Sequence, residues 1–251
     1  MQKVFPGLFL LLVLAALATP SYAQSEVFQK TYPLRAGGTF ALSNVNGSVQ
    51  VDGWDRDEVQ IHAVKSARRD LNDLGRVSIE VEANANSVVV RTRYPQDESL
   101  DVSVDYRVRV PRRIVLNRVG TMNGAVRVTG VEGEGELRSV NGDVDLFDGA
   151  GRFSARTTNG SVRLEFHQLA SEGVLSAETV NGSVILALPA DANADLDLRS
   201  LNGSFRSELP VTMQSVVSSR ELRGRLGQGG VNIRVRTVNG GIRVVTARPT
   251  I

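Results

Sequence analysis

Apolar and polar residues alternate with a period of two through most of this chain, and the dipeptide Asn-Gly interrupts the alternation at regular intervals. Such alternation is typical of a β-strand with one buried face. Around Asn159, for example, the apolar residues are Phe153 and Ala155 before it and Val162 and Leu164 after it. The pattern therefore predicts an all-β protein in which one strand precedes and another follows nearly every Asn-Gly pair.

The Asn-Gly pairs are the clearest repeat in the sequence. They occur seven times, with intervals of 18, 18, 22 and 21 residues from Asn123 to Asn202 and a last interval of 37, close to two such units. Both residues suit a tight corner, because glycine adopts left-handed backbone conformations at no steric cost and asparagine at little. The predicted structural turns are Asn46 and Gly47, Asn123 and Gly124, Asn141 and Gly142, Asn159 and Gly160, Asn181 and Gly182, Asn202 and Gly203, and Asn239 and Gly240.

Two architectures fit a repeat of this kind. Two-residue Asn-Gly hairpins would give stacked antiparallel strands, and the register of the apolar positions permits that pairing. In a β-solenoid each pair instead forms a corner, and like positions of successive coils lie above one another. The residue two positions before each asparagine is always small and polar: Asn44, Thr121, Ser139, Thr157, Thr179, Ser200 and Thr237. Because a ladder of such side chains lets hydrogen bonds run from coil to coil, the sequence favours the β-solenoid, with stacked antiparallel hairpins as the alternative.

The first residues of the chain predict export. Residues 1–23 have the features of a signal peptide: Lys3, an apolar stretch from Leu8 to Ala18, and the small-residue ending Ser21-Tyr22-Ala23. That stretch is shorter than the ~20 residues that a membrane span needs, so no transmembrane segment is predicted. The chain contains no cysteine, so packing alone must hold an exported domain together. We expect the protein in the periplasm, or outside the cell at its surface.

Residues 24–110 follow a less regular pattern and predict an N-terminal β-rich cap. Ser66–Leu74 begins with a capping serine and is followed by Gly75, which indicates one short helix. A hairpin of residues 77–81 and 87–93 and a strand of residues 100–110, ending at Pro111, complete the cap. Such a cap would cover the open strand edge of an Asn-Gly-repeat solenoid formed by residues 111–251.

Several phrases of the sequence occur in an order that resembles a known family. They are VDYRVRVPRRIVL, TMNGAVRVTGVEG with SVNGDVDL, LPADANADLDLRSLNGSF, and GRLGQGGVNIRVRTVNGGIRV. Together they resemble the bacterial putative-adhesin family, a β-strand-repeat domain of unknown function, from about Thr39 to Val245. The resemblance implies an exported β-helix-like protein, and the family name suggests adhesion. The family has no agreed catalytic residues to carry over.

The charge of the chain argues against a nucleic-acid partner. Beyond Lys3, the 28 basic side chains nearly balance the 27 acidic ones, and aromatic residues make up only 5% of the sequence. Binding to nucleic acid without a basic surface or stacking platforms is not expected. The basic residues are nevertheless almost all arginine, with 26 arginines and 3 lysines, so local arginine patches are expected instead.

Outward-facing arginines recur at two positions of the repeat. Three residues before asparagine stand Arg138, Arg156, Arg199 and Arg236, and four residues after it stand Arg127, Arg163, Arg206 and Arg243. Stacked coils would align them as two stripes, in which like charges repel unless acids, counterions or an anionic ligand intervene. One interpretation is a solvated face whose ion pairs are individually weak. The other is a binding surface for phosphate or carboxylate groups, which suit the planar guanidinium.

No catalytic, metal or cofactor site is predicted. The two histidines, His62 and His167, have no partners at the spacing of a triad or a metal site. Asp191, Asp195 and Asp197 lack the glycine and the carboxylate spacing of known calcium loops. The GQGG segment of residues 227–230 lacks the lysine and hydroxyl residue of a phosphate-binding loop and indicates a corner.

These observations favour a non-enzymatic envelope protein that presents a rigid, repetitive β surface as an interaction or scaffold module. Its expected partner is an anionic envelope polymer or another envelope protein. The alternative is a polysaccharide-active enzyme on a β-helix scaffold, which would need two carboxylates within roughly 5 to 10 Å in a groove. The outward acids that could supply them are Glu136, Asp145, Glu165, Glu178 and Asp197.

Overall fold

The computed structural model describes residues 25–68, 70–95, 100–218 and 220–247, so the predicted signal peptide lies outside the described residues. The described chain is all-β, and its strands form one hydrogen-bonded sheet. The strands are β1 (Ser25–Pro33), β2 (Thr39–Ser43), β3 (Val49–Trp54), β4 (Glu58–Ala67), β5 (Ser78–Asn84), β6 (Ser87–Arg93), β7 (Val102–Pro111), β8 (Arg113–Gly120), β9 (Val126–Thr129), β10 (Glu132–Arg138), β11 (Val144–Arg156), β12 (Val162–Leu169), β13 (Val174–Asn181), β14 (Val184–Leu188), β15 (Ala194–Asn202), β16 (Phe205–Ser207), β17 (Val211–Ser218), β18 (Glu221–Leu226), β19 (Val231–Asn239) and β20 (Ile242–Thr246).

The repeat forms two parallel ladders that share one apolar core. The first ladder contains β6 and the strands before each Asn-Gly pair, in the order β6, β2, β8, β10, the end of β11, β13, β19 and β15. The second contains β7 and the strands after each pair, in the order β7, β3, β9, the start of β11, β12, β14, β20 and β16. The parallel pairing confirms the β-solenoid and shows that the alternative of stacked antiparallel hairpins is wrong.

Alternate residues of both ladders point into the core, as the period-two pattern predicts. Phe153 and Ala155 of β11 and Val162 and Leu164 of β12 are all at most 1% exposed. Phe153 packs on Phe166 with 6.1 Å between the ring centroids. Burial of these aliphatic and aromatic side chains stabilises the stack by roughly 25 cal/mol for each Å² of apolar surface removed from water.

The turn asparagines form a continuous hydrogen-bonded ladder along one corner of the solenoid. The side-chain amides of six of the seven donate to the amide oxygen of the neighbour in the adjacent coil, and the pairs are Asn123 to Asn46, Asn141 to Asn123, Asn159 to Asn141, Asn181 to Asn159, and Asn239 to Asn181, all at 2.8 Å, and Asn202 to Asn239 at 2.9 Å. All seven pairs are therefore corners of one stack.

A second ladder runs beside it and is formed by the small polar residues two positions before each asparagine. The Thr157 hydroxyl donates to the carbonyl oxygen of Gly142 in the adjacent coil at 2.8 Å. The same bond to the corresponding glycine is made at 2.8–3.0 Å by Thr121, Ser139, Thr179, Ser200 and Thr237. The hydrogen bonds between coils that favoured the solenoid are thus confirmed, and each hydroxyl bonds to backbone rather than to the next hydroxyl.

The physical reason for the Asn-Gly pair differs from the predicted one. Among the described non-glycine residues only Arg118 and Asp148 have a positive φ, so the turn asparagines are not left-handed. Asparagine is suited to this corner because its amide both donates and accepts along the ladder. Glycine is required because coils approach closely: a Cβ on Gly160 would overlap the backbone carbonyl oxygen of Gly142, and φ there is 155°.

The order of the coils in space departs from their order in sequence. Strand β19 lies between β13 and β15, so Asn239 stacks between Asn181 and Asn202. The 37-residue interval before Asn239 is therefore not two coils. It contains β16 and an antiparallel pair, β17 and β18, of which β18 covers the free edge of β15. The corner at residues 227–230 then leads into β19, as predicted.

The N-terminal part supplies antiparallel strands around the first coil. Strands β5 and β6 form the predicted hairpin, and β1, β4 and β7 pair antiparallel beside β3. The helix begins later than predicted: it is a 3-10 helix at Leu71–Arg76, capped by Asp70, because Ser66 still pairs with Ser103 within β4 and β7. Strands β2 and β3 already belong to the two ladders, and the division of the chain at residue 110 stays a prediction.

A buried polar network closes this end of the hydroxyl ladder. The Thr92 hydroxyl donates to the Asn44 amide oxygen at 2.9 Å, and the Asn44 amide nitrogen donates to the Val104 carbonyl at 2.8 Å. A hydroxyl has one hydrogen, so Tyr106, whose phenol oxygen is 2.7 Å from Thr92, is the donor in that pair. Burial of Tyr106 among apolar residues raises its pKa from 10.0 to about 12.

The raised pKa of Tyr106 predicts a loss of stability at alkaline pH. An unfolded chain releases this proton near pH 10 and the folded chain only near pH 12, so rising pH favours unfolding between these values. We expect the free energy of unfolding to fall by about 2–3 kcal/mol over this window because of Tyr106. Urea unfolding of Tyr106→Phe should lack that part of the decrease. Tyr32→Phe, which leaves Tyr106 in place, should retain it, and identical alkaline profiles for both variants would contradict the prediction.

Candidate functional site

The first predicted arginine stripe lies on the outer face of the first ladder and is interleaved with acids. Its spatial order is Arg138, Arg156, Glu178, Arg236, Arg199 and Glu221. Arg138 pairs with Glu136, and Arg156 Nε lies 3.0 Å from Glu178 Oε2. Arg199 contacts Asp197 at 3.0 Å and Glu221 at 3.1 Å. The positive charge of these three arginines is therefore largely balanced by neighbouring carboxylates.

Arg236 differs from the other members of this stripe. It stands between Glu178 and Arg199 on neighbouring strands, and no described carboxylate forms an ion pair with it. Its guanidinium is exposed. Arg199 and Arg236 stand side by side on parallel strands, where like charges repel each other, and only Arg199 is paired with acids.

A groove of about 600 Å³ surrounds Arg236 at the C-terminal end of the stack. Its charged lining consists of four arginines and two glutamates, which gives a formal charge of +2. Two of the arginines are paired with the glutamates, which leaves Arg236 and Arg220 without an ion pair among the described residues. The charged lining residues are Arg156, Glu178, Arg199, Arg220, Glu221 and Arg236. We call this feature the arginine groove.

Neighbouring acids also affect the titration of Arg199 in the groove. The hydrogen bond and the charge of Asp197, followed by the charge of Glu221, raise the pKa of Arg199 above its usual value. Arginine is fully charged in neutral solution in any case. Arg199 thus stays cationic at any pH at which the protein would meet a ligand.

The second predicted stripe lies on the outer face of the second ladder and divides into two parts. Arg127 pairs with Asp145 at 3.2 Å, and Arg163 pairs with Glu165 at 3.0 Å. The guanidiniums of both arginines also lie over the ring of Phe147, at 5.5 and 5.3 Å from its centroid. Arg206 and Arg243 face each other on β16 and β20, where no described acid forms an ion pair with either. The two stripes therefore both have their unpaired arginines at the same end of the stack.

A row of exposed apolar side chains follows the asparagine ladder, and the sequence analysis did not single it out. These residues stand one position before asparagine and are 37–52% exposed: Met122, Val140, Val180, Leu201 and Val238. We call them the apolar ridge. Val180, Leu201 and Val238 also line the arginine groove. The signal was present in the sequence, because this position is apolar in six of seven copies although the alternation places it on the solvent side.

The remaining candidate residues are engaged in local pairs. His167 Nδ1 lies 2.9 Å from Asp148 Oδ1, and Asp195 accepts a hydrogen bond from Arg225 at 2.9 Å that lowers the pKa of the carboxyl. His62 lies on β4 opposite Arg107 of β7. The described residues include no group of three or more side chains placed to hold a metal ion. Nor does the described part of the chain contain a helix with the length and apolar character of a membrane span.

Comparison with known proteins identifies a matching family and structural neighbours of low sequence identity. Residues 38–245 match the family model described as Toastrack DUF4097. A solved structure of a putative cell adhesion protein from Clostridium sporogenes has a TM-score of 0.51 at 11% identity, over 88% of this chain and 100% of that one. A putative adhesin from Bacteroides fragilis has a TM-score of 0.32 at 10% identity, over 89% and 99%. No curated protein matches the chain. At such identity the first of these structures supports the fold alone.

Proposed function

The chain belongs to the Toastrack DUF4097 family, whose function is unknown, and from this premise we propose that it is an exported, non-enzymatic envelope protein that binds an anionic envelope polymer. The rigid stack of coils serves as the scaffold, and the arginine groove serves as the binding site. The name of one structural neighbour, a putative cell adhesion protein, is consistent with an interaction role.

One observation carries this proposal: the arginine groove holds two guanidiniums that no described carboxylate neutralises, Arg220 and Arg236. The other arginines of the first stripe each have an acid beside them and pair with it. A guanidinium binds phosphate or carboxylate oxygens through two parallel hydrogen bonds, which adds orientation to attraction. The apolar ridge at the rim of the groove adds a surface for acyl or other apolar parts of a ligand. This combination favours a phosphorylated glycolipid such as lipopolysaccharide over a purely hydrophilic acidic polysaccharide.

The alternative of a polysaccharide-active enzyme finds less support in the geometry. Such an enzyme needs one carboxyl group free to transfer a proton and a second one free to attack or to activate water. Each of the five outward acids is bonded to an arginine, and the pairs are Glu136 with Arg138, Asp145 with Arg127, Glu165 with Arg163, Glu178 with Arg156, and Asp197 with Arg199. Acids held in this way are suited to separating arginines rather than to acid–base chemistry.

The proposal predicts that binding depends on the two unpaired arginines. We expect the double variant Arg220→Gln with Arg236→Gln to lose at least about tenfold in affinity for lipopolysaccharide, since each charge-assisted hydrogen bond contributes about 1.5–3 kcal/mol. Co-sedimentation with lipopolysaccharide, peptidoglycan and an acidic polysaccharide over a salt series measures this. Binding through exposed charges should weaken as salt is added.

The matched control removes the same charge far from the groove. Arg91 and Arg93 lie on β6 in the N-terminal hairpin and pair with Glu82 and Glu80. Changing both to Gln removes two positive charges and should leave binding within about twofold of the original, since exposed pairs contribute little. Equal loss in both double variants would show non-specific attraction, and absence of binding by the original protein to all three polymers would overturn the proposal.

A further inference from the structure

Asparagine followed by glycine can undergo spontaneous deamidation. The backbone nitrogen of glycine attacks the side-chain amide carbon of the preceding asparagine; the C–N bond to the side-chain nitrogen breaks, and ammonia leaves with the proton that the glycine nitrogen gives up. Water then opens the cyclic imide to aspartate or isoaspartate. The reaction needs only water, and glycine favours it because no side chain obstructs the attack. Each of the seven pairs in this chain is a candidate.

The solenoid restrains the attacking nitrogen in six of the seven pairs. In each of them the glycine N–H donates to the backbone carbonyl of the asparagine in the adjacent coil, and the bonds are Gly47 to Asn123 at 2.8 Å, Gly124 to Asn141, Gly142 to Asn159 and Gly160 to Asn181 at 2.9 Å, Gly182 to Asn239 at 3.0 Å, and Gly240 to Asn202 at 3.1 Å. This hydrogen bond must break, and the corner must rotate, before the glycine nitrogen can reach the side-chain amide carbon of asparagine.

The pair Asn202-Gly203 lies at the end of the stack and lacks this restraint. No described carbonyl accepts from the Gly203 N–H. The Asn202 amide donates to Asn239, but no described amide donates to the Asn202 side-chain oxygen in return. Gly203 is also exposed, whereas the other six turn glycines are half-buried. Ends of a repeat stack open more readily than its interior, because each coil is held by its neighbours alone.

We propose that Asn202 is a site of spontaneous deamidation and is the first of the seven turn asparagines to convert. The position is set by the reversed order of the last coils, which places the Asn202 corner, rather than that of Asn239, at the end of the ladder. Conversion removes the amide N–H that Asn202 donates to Asn239 and adds a negative charge two residues beyond Ser200 of the arginine groove. Isoaspartate also lengthens the backbone at the junction of β15 and β16.

The sequence supplies matched internal controls for the test. Asn46, Asn159, Asn181 and Asn202 share the tripeptide Asn-Gly-Ser, so their intrinsic reactivity is alike. Trypsin, which cleaves after arginine, yields peptides of equal length for two of them, TTNGSVR from residues 157–163 and SLNGSFR from residues 200–206. The full chain is incubated folded at mildly alkaline pH, digested, and analysed by mass spectrometry with an isoaspartyl-specific methyltransferase as a second readout.

We expect the peptide of residues 200–206 to convert at least about tenfold faster than that of residues 157–163, because one hydrogen bond of about 1.4 kcal/mol corresponds to a factor of ten. In guanidinium, where the coils are lost, the two peptides should convert at rates within about twofold of each other. Equal rates in the folded protein, or faster conversion of any other turn asparagine, would overturn the proposal.

Discussion

Replacing Gly160 by alanine should destabilise the protein by more than about 3 kcal/mol, the range reached by substitutions that force backbone strain or steric overlap. The added Cβ would overlap the carbonyl oxygen and carbon of Gly142, and both are backbone atoms that cannot rotate away. Relief requires the two coils to separate, which lengthens the adjacent hydrogen bond from Gly142 N–H to the Asn159 carbonyl. Urea unfolding followed by circular dichroism measures the loss as a shift of the midpoint.

Gly75 is the matched control for this substitution. It lies in the 3-10 helix, and a Cβ built on it meets no other atom. Gly75→Ala should therefore change the free energy of unfolding by no more than about 0.5 kcal/mol, as expected for a surface position. If Gly160→Ala is as stable as Gly75→Ala, close contact between the coils does not explain the recurrence of glycine at the corners.

The second large effect is expected in the core of the long strand β11. Phe153 is 1% exposed and packs on Phe166 between the two ladders. Phe153→Ala should cost about 3–5 kcal/mol, because the apolar surface is lost and the rigid strands cannot close the cavity. The same unfolding measurement applies, and a loss of less than about 1 kcal/mol would mean that the core at this level is not close-packed.

Phe147, on the same strand, provides the control. Its ring is half-buried on the outer face, between the guanidiniums of Arg127 and Arg163. Phe147→Ala should cost about 1 kcal/mol, the value of a partly exposed cation–π contact. The difference between two identical substitutions in one strand isolates the effect of facing the core.

Much of this fold could be predicted from the sequence because its information is local and repeated. The alternation around each Asn-Gly pair sets which side chains face the core, and residues such as Thr157 agree from copy to copy only if the coils stack. The β5–β6 hairpin and the end of β7 at Pro111 follow from turn and proline chemistry. The family match and the parallel ladders confirm that interpretation.

Other features depend on contacts between distant parts of the chain and leave little local trace. The insertion of β19 between β13 and β15 changes which asparagine lies at the end of the ladder, although no residue near Asn202 or Asn239 signals it. The late start of the helix follows from the pairing of Ser66 with Ser103, a residue distant in sequence. The predicted left-handed role of the turn asparagines was wrong for the same reason, since their side-chain amides form hydrogen bonds only with other coils.

The candidate site could likewise be predicted from the sequence only in part. The arginine stripes could be located from the spacing of residues, and their role in binding stays a prediction. Which arginines lack an acid depends on side-chain contacts: Arg199 is paired with Glu221 across strands, whereas Arg236 beside it is not. The apolar ridge was detectable as valine, methionine and leucine at a position that the alternation places on the solvent side.

The placement of β19 and β20 also constrains how the chain can fold while it emerges with its N-terminus first. The coil of β15 and β16 precedes them in sequence but has no partner in the stack until they arrive, because β15 pairs with β19 and β18 and does not pair with β13. Growth from the first coil can therefore proceed continuously only as far as β13 and β14. The final strands then insert between existing strands, and the coils of β15–β16 and β19–β20 become stable together in a single late step.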